Sequence, residues 1–489
     1  RDLLTYGASR GVSQGLLGAR GLVVATLLGP GGFGAWTLFK LALEYAAAAD
    51  LGALQGLELA VARGNVGSRE DRETQHNSGS PGRARRGADA GSAARTALGF
   101  NLAVYSGLAA AALLASFLVE DRGWTIGLRG FAAAAVAVRC WRYGLVYLRS
   151  RSRVRRYSLL EVVNGGLHLG LTALGAWLWG LPGALGAFAG ASLVSAALLV
   201  PAVPSRPRLD GPALGAMLRE GFPLLAALAV STAMTTADRL VVAAYGGTTM
   251  LGHYAFAAAI AGMAASAVWA VRTVVFPDVY GKAETHGSES AVKEHTARTL
   301  LPFARLFPPV LGVGAFAIGP TVAFFLPEYR EAVPPARLFL FTGVTFGLVS
   351  LGSLSVAAAA RQRLLPTLGG AALALNVGLS LGALAVGAGL QGVAASALVS
   401  QAAFGGGIIV ISAMESGEAH PYRLTARSLL PLAYCSAAVF LLSTVLPGLG
   451  LVDSVTSLGL YLVSLLPLAP TLWRSVQVLR SQAADPRLA

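Results

Sequence analysis

The sequence predicts an all-α integral membrane protein with about 14 transmembrane helices, and three observations predict it. Charged residues make up 13% of the 489 residues and hydrophobic residues 55%, and the mean hydropathy is +0.62. Soluble proteins carry about 25% charged residues. The apolar residues form solid runs of about 20 residues, the length of a helix that crosses a ~30 Å hydrocarbon core. The 60 glycines suit helices whose backbones approach each other closely in lipid.

Polar breaks between the apolar runs delimit the individual spans. Because the runs are solid and do not alternate with polar residues, we interpret them as helices and not as strands of a barrel. The spans lie at approximately 8–29, 34–61, 96–118, 126–148, 157–180, 182–203, 220–245, 250–277, 299–325, 336–360, 364–388, 392–414, 427–448 and 454–473.

The distribution of arginine and lysine among the loops predicts the orientation. One set of alternate loops holds most of the basic residues, whereas the opposite loops hold only Arg122 and Arg330. We therefore expect a multi-pass protein of the cytoplasmic membrane with both termini in the cytoplasm. The polar, Gly/Ser-rich segment 64–95 is predicted to be a disordered cytoplasmic loop. The net charge of +14 then reflects topology. Nucleic-acid binding is not expected, because these short loops lack interleaved aromatic residues.

Two pairs of similar segments predict an internal repeat. The segment 19–36, ARGLVVATLLGPGGFGAW, aligns without a gap on 237–254, ADRLVVAAYGGTTMLGHY, and the shared residues include Gly29/Gly247. The segment 180–184, GLPGA, similarly matches 389–393, GLQGV. Both pairs lie six spans apart, which predicts two parallel six-helix lobes of the kind found in transporters. We expect an N-lobe at 1–203 with spans one to six and the loop 64–95, a C-lobe at 204–414 with spans seven to twelve, and spans thirteen and fourteen with a cytoplasmic tail at 415–489.

Charged residues inside the predicted spans are the candidate functional residues. A charge at the bilayer centre costs ~2.5–3.5 kcal/mol, so each one needs a structural or functional reason. They either form ion pairs that fix helices together or line a path for a charged solute. The candidates are the cations Arg20, Arg139, Arg142, Arg239 and Arg272 and the acids Glu44, Asp50 and Asp238. Span two also carries Lys40, four residues before Glu44, which is the spacing of a local ion pair.

A run of arginines between spans four and five is the second candidate site. The segment 149–157, RSRSRVRRY, contains Arg149, Arg151, Arg153, Arg155 and Arg156. These residues either anchor the topology on anionic headgroups or dock an anionic lipid-linked substrate. The two cysteines, Cys140 and Cys435, lie in apolar runs without metal-ligand spacing, and we predict no metal site.

Several ordered motifs resemble a known family. The segments LLGPGGFGAW and AADLGALQGLELAVAR resemble the opening of the Wzx-like polysaccharide-biosynthesis flippases, which belong to the multidrug/oligosaccharidyl-lipid/polysaccharide exporter superfamily. The segments TTADRLVVAAYGG and VFPDVYGKAE are similar to the start of the second half of that family, and FLPEYREAV and GLQGVAASALVS are similar to its later motifs. The resemblance extends over nearly the whole chain.

The resemblance implies a MATE-like fold and a flippase for polyprenyl-(pyro)phosphate-linked oligosaccharides, used in the assembly of surface polysaccharide such as O-antigen or of glycoprotein. It implies that the five candidate arginines line a cationic cavity. It also matches Asp238 to a recurrent acid of span seven and Asp50 to an acid of span two that precedes a glycine. The expected partners are the lipid-linked oligosaccharide, anionic membrane lipids and a glycan polymerase or ligase. No cofactor is expected besides a coupling ion, H⁺ or Na⁺.

Two other functions are the alternatives to a flippase. A cation-coupled multidrug exporter of the same superfamily is the alternative within transport, and it would favour a cavity dominated by acids. A membrane enzyme that makes or polymerises glycans would need a sizeable outer loop, whereas the predicted outer loops have roughly ten residues or fewer. We therefore predict that the protein is not an enzyme.

Overall fold

The computed structural model describes residues 2–61, 81–151, 154–204, 206–446 and 450–483, which contain helices and no strand. The helices are α1 (Asp2–Ala46), α2 (53–61), α3 (Pro81–Leu118), α4 (Arg122–Ser150), α5 (Val154–Leu199), α6 (Gly211–His286), α7 (Ser288–His295), α8 (Leu301–Phe325), α9 (Val333–Ala358), α10 (Leu364–Ala385), α11 (Gly389–Glu415), α12 (Pro421–Val445), α13 (Leu451–Ser464) and α14 (Ala469–Ala483). Short 3₁₀ or π segments connect several of them.

By length and apolar composition, 11 stretches of helix in the described residues could cross a membrane. Three of them are too long for one crossing: Gly11–Asp50, Arg155–Leu199 and Gly211–Met263, with 40, 45 and 53 residues. A straight helix of such a length would extend for about 60 Å or more, twice the thickness of the hydrocarbon core. Each long stretch includes residues of two predicted spans. The all-α membrane fold is confirmed, and the number of about 14 crossings stays a prediction.

Glycines with positive φ break each of the three long stretches. Gly29 has φ 63° and ψ 177°, Gly180 has φ 61° and ψ −142°, and Gly247 has φ 69° and ψ −164°. Residues with a side chain rarely adopt this conformation. At Gly180 the chain folds back on itself: Gly175 and Gly183 approach so closely that a Cβ on either would overlap the backbone carbonyl of the other. The α5 stretch is therefore a helical hairpin.

The internal repeat appears in the backbone conformation. The two aligned sequence pairs match Gly29 with Gly247 and Gly180 with Gly389. All four glycines have positive φ, between 59° and 69°. The matched glycines thus occupy equivalent turns, and the repeat is one of local structure as well as of sequence.

The chain divides into two compact units, Arg1–Ala229 (the N-unit) and Val230–Ala489 (the C-unit). The division falls inside α6 and inside predicted span seven. The first part of α6 belongs to the N-unit because it packs closely on the start of α2. A Cβ on Gly56 would overlap the backbone of Met217, and one on Gly221 would overlap that of Gly52. The division into lobes at 1–203, 204–414 and 415–489 stays a prediction.

The prediction of a disordered loop at 64–95 is wrong for residues 81–95, which are helical. Helix α3 begins at Pro81 and continues into the membrane-spanning segment, and residues 62–80 lie outside the described residues. Proline favours the first position of a helix, and the segment that follows it is rich in alanine and arginine, two good helix formers. The apolar span extends the same helix, because adding a turn to an existing helix needs no new nucleus.

Candidate functional site

Arg20 is a buried cation of the N-unit without a carboxylate partner. Arg20 is 6% exposed, and its Nε atom has no hydrogen-bond partner. Two aromatic rings flank the guanidinium: its Cζ atom lies 5.9 Å from the ring centroid of Trp36 and 5.5 Å from that of Phe188. The two rings contact each other edge to face at 5.5 Å. Among the described residues, Arg20 forms no ion pair.

The hairpin turn at Gly29 determines this geometry. Arg20 precedes the turn in α1 and Trp36 follows it, so the reversal of the chain brings the aromatic ring back to the arginine. Phe188 reaches the pair from the second arm of the α5 hairpin. Arginine interacts favourably with ring faces, and this interaction is stronger when water is excluded. The aromatic residues hold the guanidinium in place without neutralising it.

A polar face of α5 continues from this cluster. The ring of His168 lies 4.6 Å from that of Phe188, and the unpaired buried atoms of this face include Glu161 Oε2, Asn164 Oδ1, His168 Nδ1 and Thr172 Oγ1. These residues recur at spacings of three and four along the helix. The face packs on α1, where Ser13 Oγ donates to the Glu161 carbonyl oxygen at 3.3 Å. The N-unit therefore contains a buried polar strip beside its unneutralised arginine.

Asp50 and Arg139 form a buried ion pair in the N-unit. The carboxylate lies at the break between α1 and α2, where it accepts the backbone N–H groups of Gly52 and Leu54, each at 3.2 Å. Such acceptance caps the first turn of α2. The Nε of Arg139 also donates to Asn101 Oδ1 at 2.7 Å. The two residues lie 89 positions apart, so only the fold reveals that they are partners.

Tyr105 completes this network. Its hydroxyl donates to the Ala46 carbonyl oxygen at 2.7 Å, at the end of α1. The Cζ of Arg139 lies 5.0 Å from the Tyr105 ring centroid. Arg142, about one turn further along α4, is exposed. The two α4 arginines thus have different surroundings: Arg139 is paired inside the unit, whereas Arg142 faces outward.

Asp238 is the buried acid of the C-unit and is 3% exposed. One carboxylate oxygen accepts the backbone N–H of Arg239 at 2.9 Å, and the other accepts the Tyr254 hydroxyl at 2.6 Å. Tyr254 is completely buried and contacts Phe339 edge to face, with ring centroids 4.9 Å apart. A short hydrogen bond to an ionised carboxylate is among the stronger kinds. The acid is therefore satisfied by hydrogen bonds within its own unit.

The buried charges of the two units are equivalent under the repeat. The alignment of 19–36 on 237–254 places Arg20 opposite Asp238 and Trp36 opposite Tyr254. In each unit the charged residue contacts the aromatic residue that follows it across the glycine turn. A third matched pair appears beside them: NGGLHLG at 164–170 and NVGLSLG at 376–382 share five of seven residues. The two halves therefore build the same polar constellation with opposite charge.

The third pair also differs in its hydrogen bonds. In the C-unit, Asn376 Nδ2 donates to the Met234 carbonyl oxygen at 3.5 Å, and Ser380 Oγ donates to Asn376 Oδ1 at 3.2 Å. The equivalent residues of the N-unit are Asn164 and His168, whose Oδ1 and Nδ1 atoms have no partner. The C-unit version is satisfied internally, and the N-unit version is not.

The remaining predicted residues lie in varied environments. Arg272 donates to the Ser350 carbonyl oxygen at 2.9 Å and lies 3.3 Å from Ser353 Oγ, so it connects α6 to α9. Arg239 is partly buried, and its Nε atom has no hydrogen-bond partner. Lys40 and Glu44 are exposed.

The arginine run at 149–157 does not form one uniform surface. Arg149 makes a double hydrogen bond to the two carboxylate oxygens of Glu58, at 2.6 and 2.8 Å. Arg151 lies over the ring of Tyr147, with 5.3 Å between its Cζ and the ring centroid. Arg155 and Arg156 are exposed, and Arg153 lies outside the described residues. Contact of this run with lipid headgroups stays a prediction.

Solved structures with the same fold are transporters and a flippase. The lipid II flippase MurJ, in an inward closed conformation, superposes with a TM-score of 0.64 at 13% identity, covering 97% of this chain and 99% of that one. An outward-facing multidrug resistance MATE family transporter of the MOP superfamily gives 0.57 at 15% identity, covering 90% and 96%. A MOP superfamily transporter from Pyrococcus furiosus, described by a binding pocket of reverse polarity, gives 0.56 at 16%, again covering 90% and 96%. No protein-family profile and no curated protein matches the chain.

The chain has the MATE-type fold. The predicted fold class is confirmed, because these neighbours overlap nine tenths or more of the chain and the described residues form helices and no strand. Its apolar helices and this fold are those of a multi-pass membrane protein. At identities of 13–16% the likeness concerns the fold alone.

Proposed function

We propose that the protein is a flippase that moves polyprenyl-(pyro)phosphate-linked oligosaccharides from the cytoplasmic to the outer leaflet by alternating access. The observation that carries the proposal is Arg20, a guanidinium buried in a predicted membrane span and without a carboxylate partner among the described residues. A buried charge in a membrane span is costly, and one without a counter-ion is by default assigned a functional role, such as binding an anion during its passage. A lipid-linked (pyro)phosphate is an anion of the required chemistry.

The surroundings of Arg20 support capture of a phosphate. A guanidinium can donate two parallel hydrogen bonds to a phosphate, which a lysine ammonium cannot do with the same geometry. The rings of Trp36 and Phe188 limit the orientations that the arginine can adopt, so less conformational entropy is lost on binding. The adjoining His168 Nδ1 donates a further hydrogen bond to a phosphate when it carries the ring proton, whereas Asn164 Oδ1 accepts one from a sugar hydroxyl of such a cargo.

The other predicted cavity cations divide into two groups. Arg139 is already engaged by Asp50, and Arg272 by the serines of α9. We therefore expect these two to act mainly by holding helices in place. Arg142 is exposed and Arg239 is partly buried, so these two, each within its own unit, are the better candidates to contact an anionic cargo.

Asp238 is proposed as the residue that couples transport to an ion, H⁺ or Na⁺. It is the buried acid at the position equivalent to Arg20, and the Tyr254 hydroxyl holds it in one orientation. Uptake of a cation would compete with this hydrogen bond and so change the local packing. Glu44, which is exposed, and Asp50, which is paired with Arg139, are weaker candidates for the same role.

The fold of the solved neighbours agrees with this proposal at its coarser level. One of them is a lipid II flippase, which handles a lipid-linked cargo, and others are multidrug transporters. A cation-coupled multidrug exporter is therefore the second candidate function. The observation that favours it is the buried acid Asp238, since a carboxylate attracts cationic drugs.

The deciding experiment deletes the gene and determines on which membrane face completed lipid-linked oligosaccharides accumulate. If the protein is a flippase, the deletion causes lipid-linked oligosaccharides to accumulate on the cytoplasmic face and surface glycan to be lost. The wild-type gene restores export. We expect Arg20→Met to fail and Arg20→Lys to restore export only in part, whereas the exposed loop variant Arg206→Met, the matched control, restores it fully. Normal glycan export combined with increased sensitivity to cationic drugs would replace this proposal by the exporter.

A further inference from the structure

Three arginines of the C-unit converge from three helices without a carboxylate among them. Arg305 lies near the start of α8, Arg427 near the start of α12 and Arg474 in α14. Helices α12 and α14 both pack on α8, and within the described residues the charges that act on the guanidinium of Arg305 are those of Arg427 and Arg474. The Nε atom of Arg305 is buried and has no hydrogen-bond partner. In the described part of the chain none of the three forms an ion pair.

The packing of the last helices brings these residues together. The Tyr461 hydroxyl of α13 donates to the carbonyl oxygen of Pro309, one turn beyond the α8 arginine, at 3.3 Å. The Tyr434 hydroxyl, two turns beyond the α12 arginine, donates to the carbonyl oxygen of Ser464 at the end of α13, at 2.6 Å. Helices α8, α12 and α13 thus meet just beside the cluster, and α14 follows and packs on α8.

Exposed aromatic residues indicate the depth of the cluster in the membrane. Trp473 of α14 is 56% exposed and Tyr422, in the first turn of α12, is 71% exposed. Exposed Trp and Tyr concentrate at the level of the lipid headgroups, where the ring contacts acyl chains and the polar atom contacts water. Arg474 neighbours one of them in sequence, and Arg427 lies within two turns of the other. The cluster therefore lies at headgroup level.

We propose that Arg305, Arg427 and Arg474 bind the phosphate of an anionic membrane phospholipid. Three like charges brought together by helix packing repel one another, and an anion among them offsets this repulsion. Guanidinium groups match phosphate oxygens in geometry, and the lipid interface supplies phosphates at this depth. An anionic phospholipid neutralises the cluster better than a zwitterionic one, whose ammonium group offsets the phosphate. The bound lipid would join α14 to α8 and α12.

This site is separate from the proposed transport function, because none of the three arginines belongs to the candidate cation set. The test uses the purified full chain and native mass spectrometry after delipidation and addition of phosphatidylglycerol or phosphatidylcholine. We expect the wild type to retain one phosphatidylglycerol more than the variant Arg305→Gln/Arg427→Gln/Arg474→Gln. Phosphatidylcholine should show no such difference. The matched control, Arg206→Gln/Arg208→Gln/Arg363→Gln, removes three exposed arginines elsewhere and should bind as the wild type does.

Two further measurements keep the result interpretable. The single variant Arg427→Gln changes an exposed side chain and should weaken phosphatidylglycerol retention at least tenfold without altering the unfolding temperature of the lipid-free protein. Arg305→Lys keeps the charge and should retain part of the binding. Equal retention by the wild type and the triple variant would overturn the site. In a parallel incubation with a polyprenyl phosphate and phosphatidylglycerol together, selective retention of the polyprenyl phosphate would overturn the assignment to phospholipid.

Discussion

The two units build the same hairpin around buried charges of opposite sign. In the N-unit, Arg20 contacts Trp36 across the turn at Gly29. In the C-unit, Asp238 contacts Tyr254 across the turn at Gly247. The two units share the backbone conformation of the turn and the position of the aromatic residue. They differ in the sign of the charge and in whether the charged group has hydrogen-bond partners. The arginine lies against rings and keeps an unpaired Nε atom, while both oxygens of the acid accept hydrogen bonds.

This difference shows which features of the repeat belong to the fold and which belong to function. The glycine turns and the aromatic contacts determine how each hairpin closes, so both units need them. The charges are not needed for closure, because opposite charges occupy the same position. The N-unit also contains an acid, Asp50, but that acid neutralises Arg139 and leaves Arg20 without a partner. We therefore expect the unpaired cation and the satisfied acid to have different roles.

The largest effect is expected from breaking the N-unit ion pair. Arg139→Met leaves the completely buried Asp50 carboxylate without its cation, and removing one partner of a buried pair costs about 3–5 kcal/mol. Thermal unfolding in detergent measures the loss. The control Arg142→Met removes an exposed arginine from the same helix and should change stability by only about 0.5 kcal/mol or less. Equal stability of the two variants would mean that Arg139 does not serve mainly as a structural partner.

The next largest effect is expected in the C-unit, at the phenol that holds the acid. Tyr254→Phe removes one of the hydrogen bonds to Asp238 and should cost about 1.5–3 kcal/mol. The control Tyr245→Phe removes a long, 3.4 Å hydrogen bond from an exposed tyrosine and should cost little. The equivalent N-unit variant, Trp36→Phe, keeps an aromatic ring beside Arg20. If Tyr254→Phe is no less stable than Tyr245→Phe, the acid is not satisfied as described.

Replacing the glycine of a hairpin turn should reduce stability through backbone strain and not through loss of a side-chain contact. Gly247→Ala introduces no steric overlap, because no atom lies within 4 Å of the new Cβ. Its cost comes from the backbone conformation, which residues other than glycine rarely adopt, and should be roughly 1–3 kcal/mol. Gly262→Ala, at a helical glycine of the same helix with equally open space, should cause no loss. An unchanged unfolding temperature for Gly247→Ala would indicate that the hairpin can turn in another conformation.

The smallest effect is expected at the ion pair between Glu58 and Arg149. Both side chains are about two fifths exposed, and such pairs contribute about 0.2–1 kcal/mol. Glu58→Gln should therefore change thermal stability only slightly, and less at high salt than at low salt. Comparison with Arg139→Met separates a partly hydrated ion pair from a buried one in the same unit. A loss as large as that of Arg139→Met would show that the Glu58 pair is shielded from water.

The candidate site could be predicted in part. Arg20, Asp238 and Arg239 were found because a charged residue in an apolar run is conspicuous, and their burial agrees with that interpretation. The aromatic partners Trp36 and Tyr254 were not predicted as site residues, because an aromatic residue in a membrane span is unremarkable. Asn101 and Tyr105, which support Arg139, gave no sequence signal at all, since small polar and aromatic residues are common in such helices.

The sequence by itself determined the membrane class and the all-α fold, and it contains the matched glycines at which the structure turns. These follow from local properties: the length of an apolar run and the need for glycine where φ is positive. Only the tertiary structure decided which buried charges are neutralised. Asp50 and Arg139 are 89 residues apart, and Phe188 reaches Arg20 from another hairpin. A charge in a sequence does not reveal its counter-ion, because pairing depends on contacts between helices that are distant in the chain.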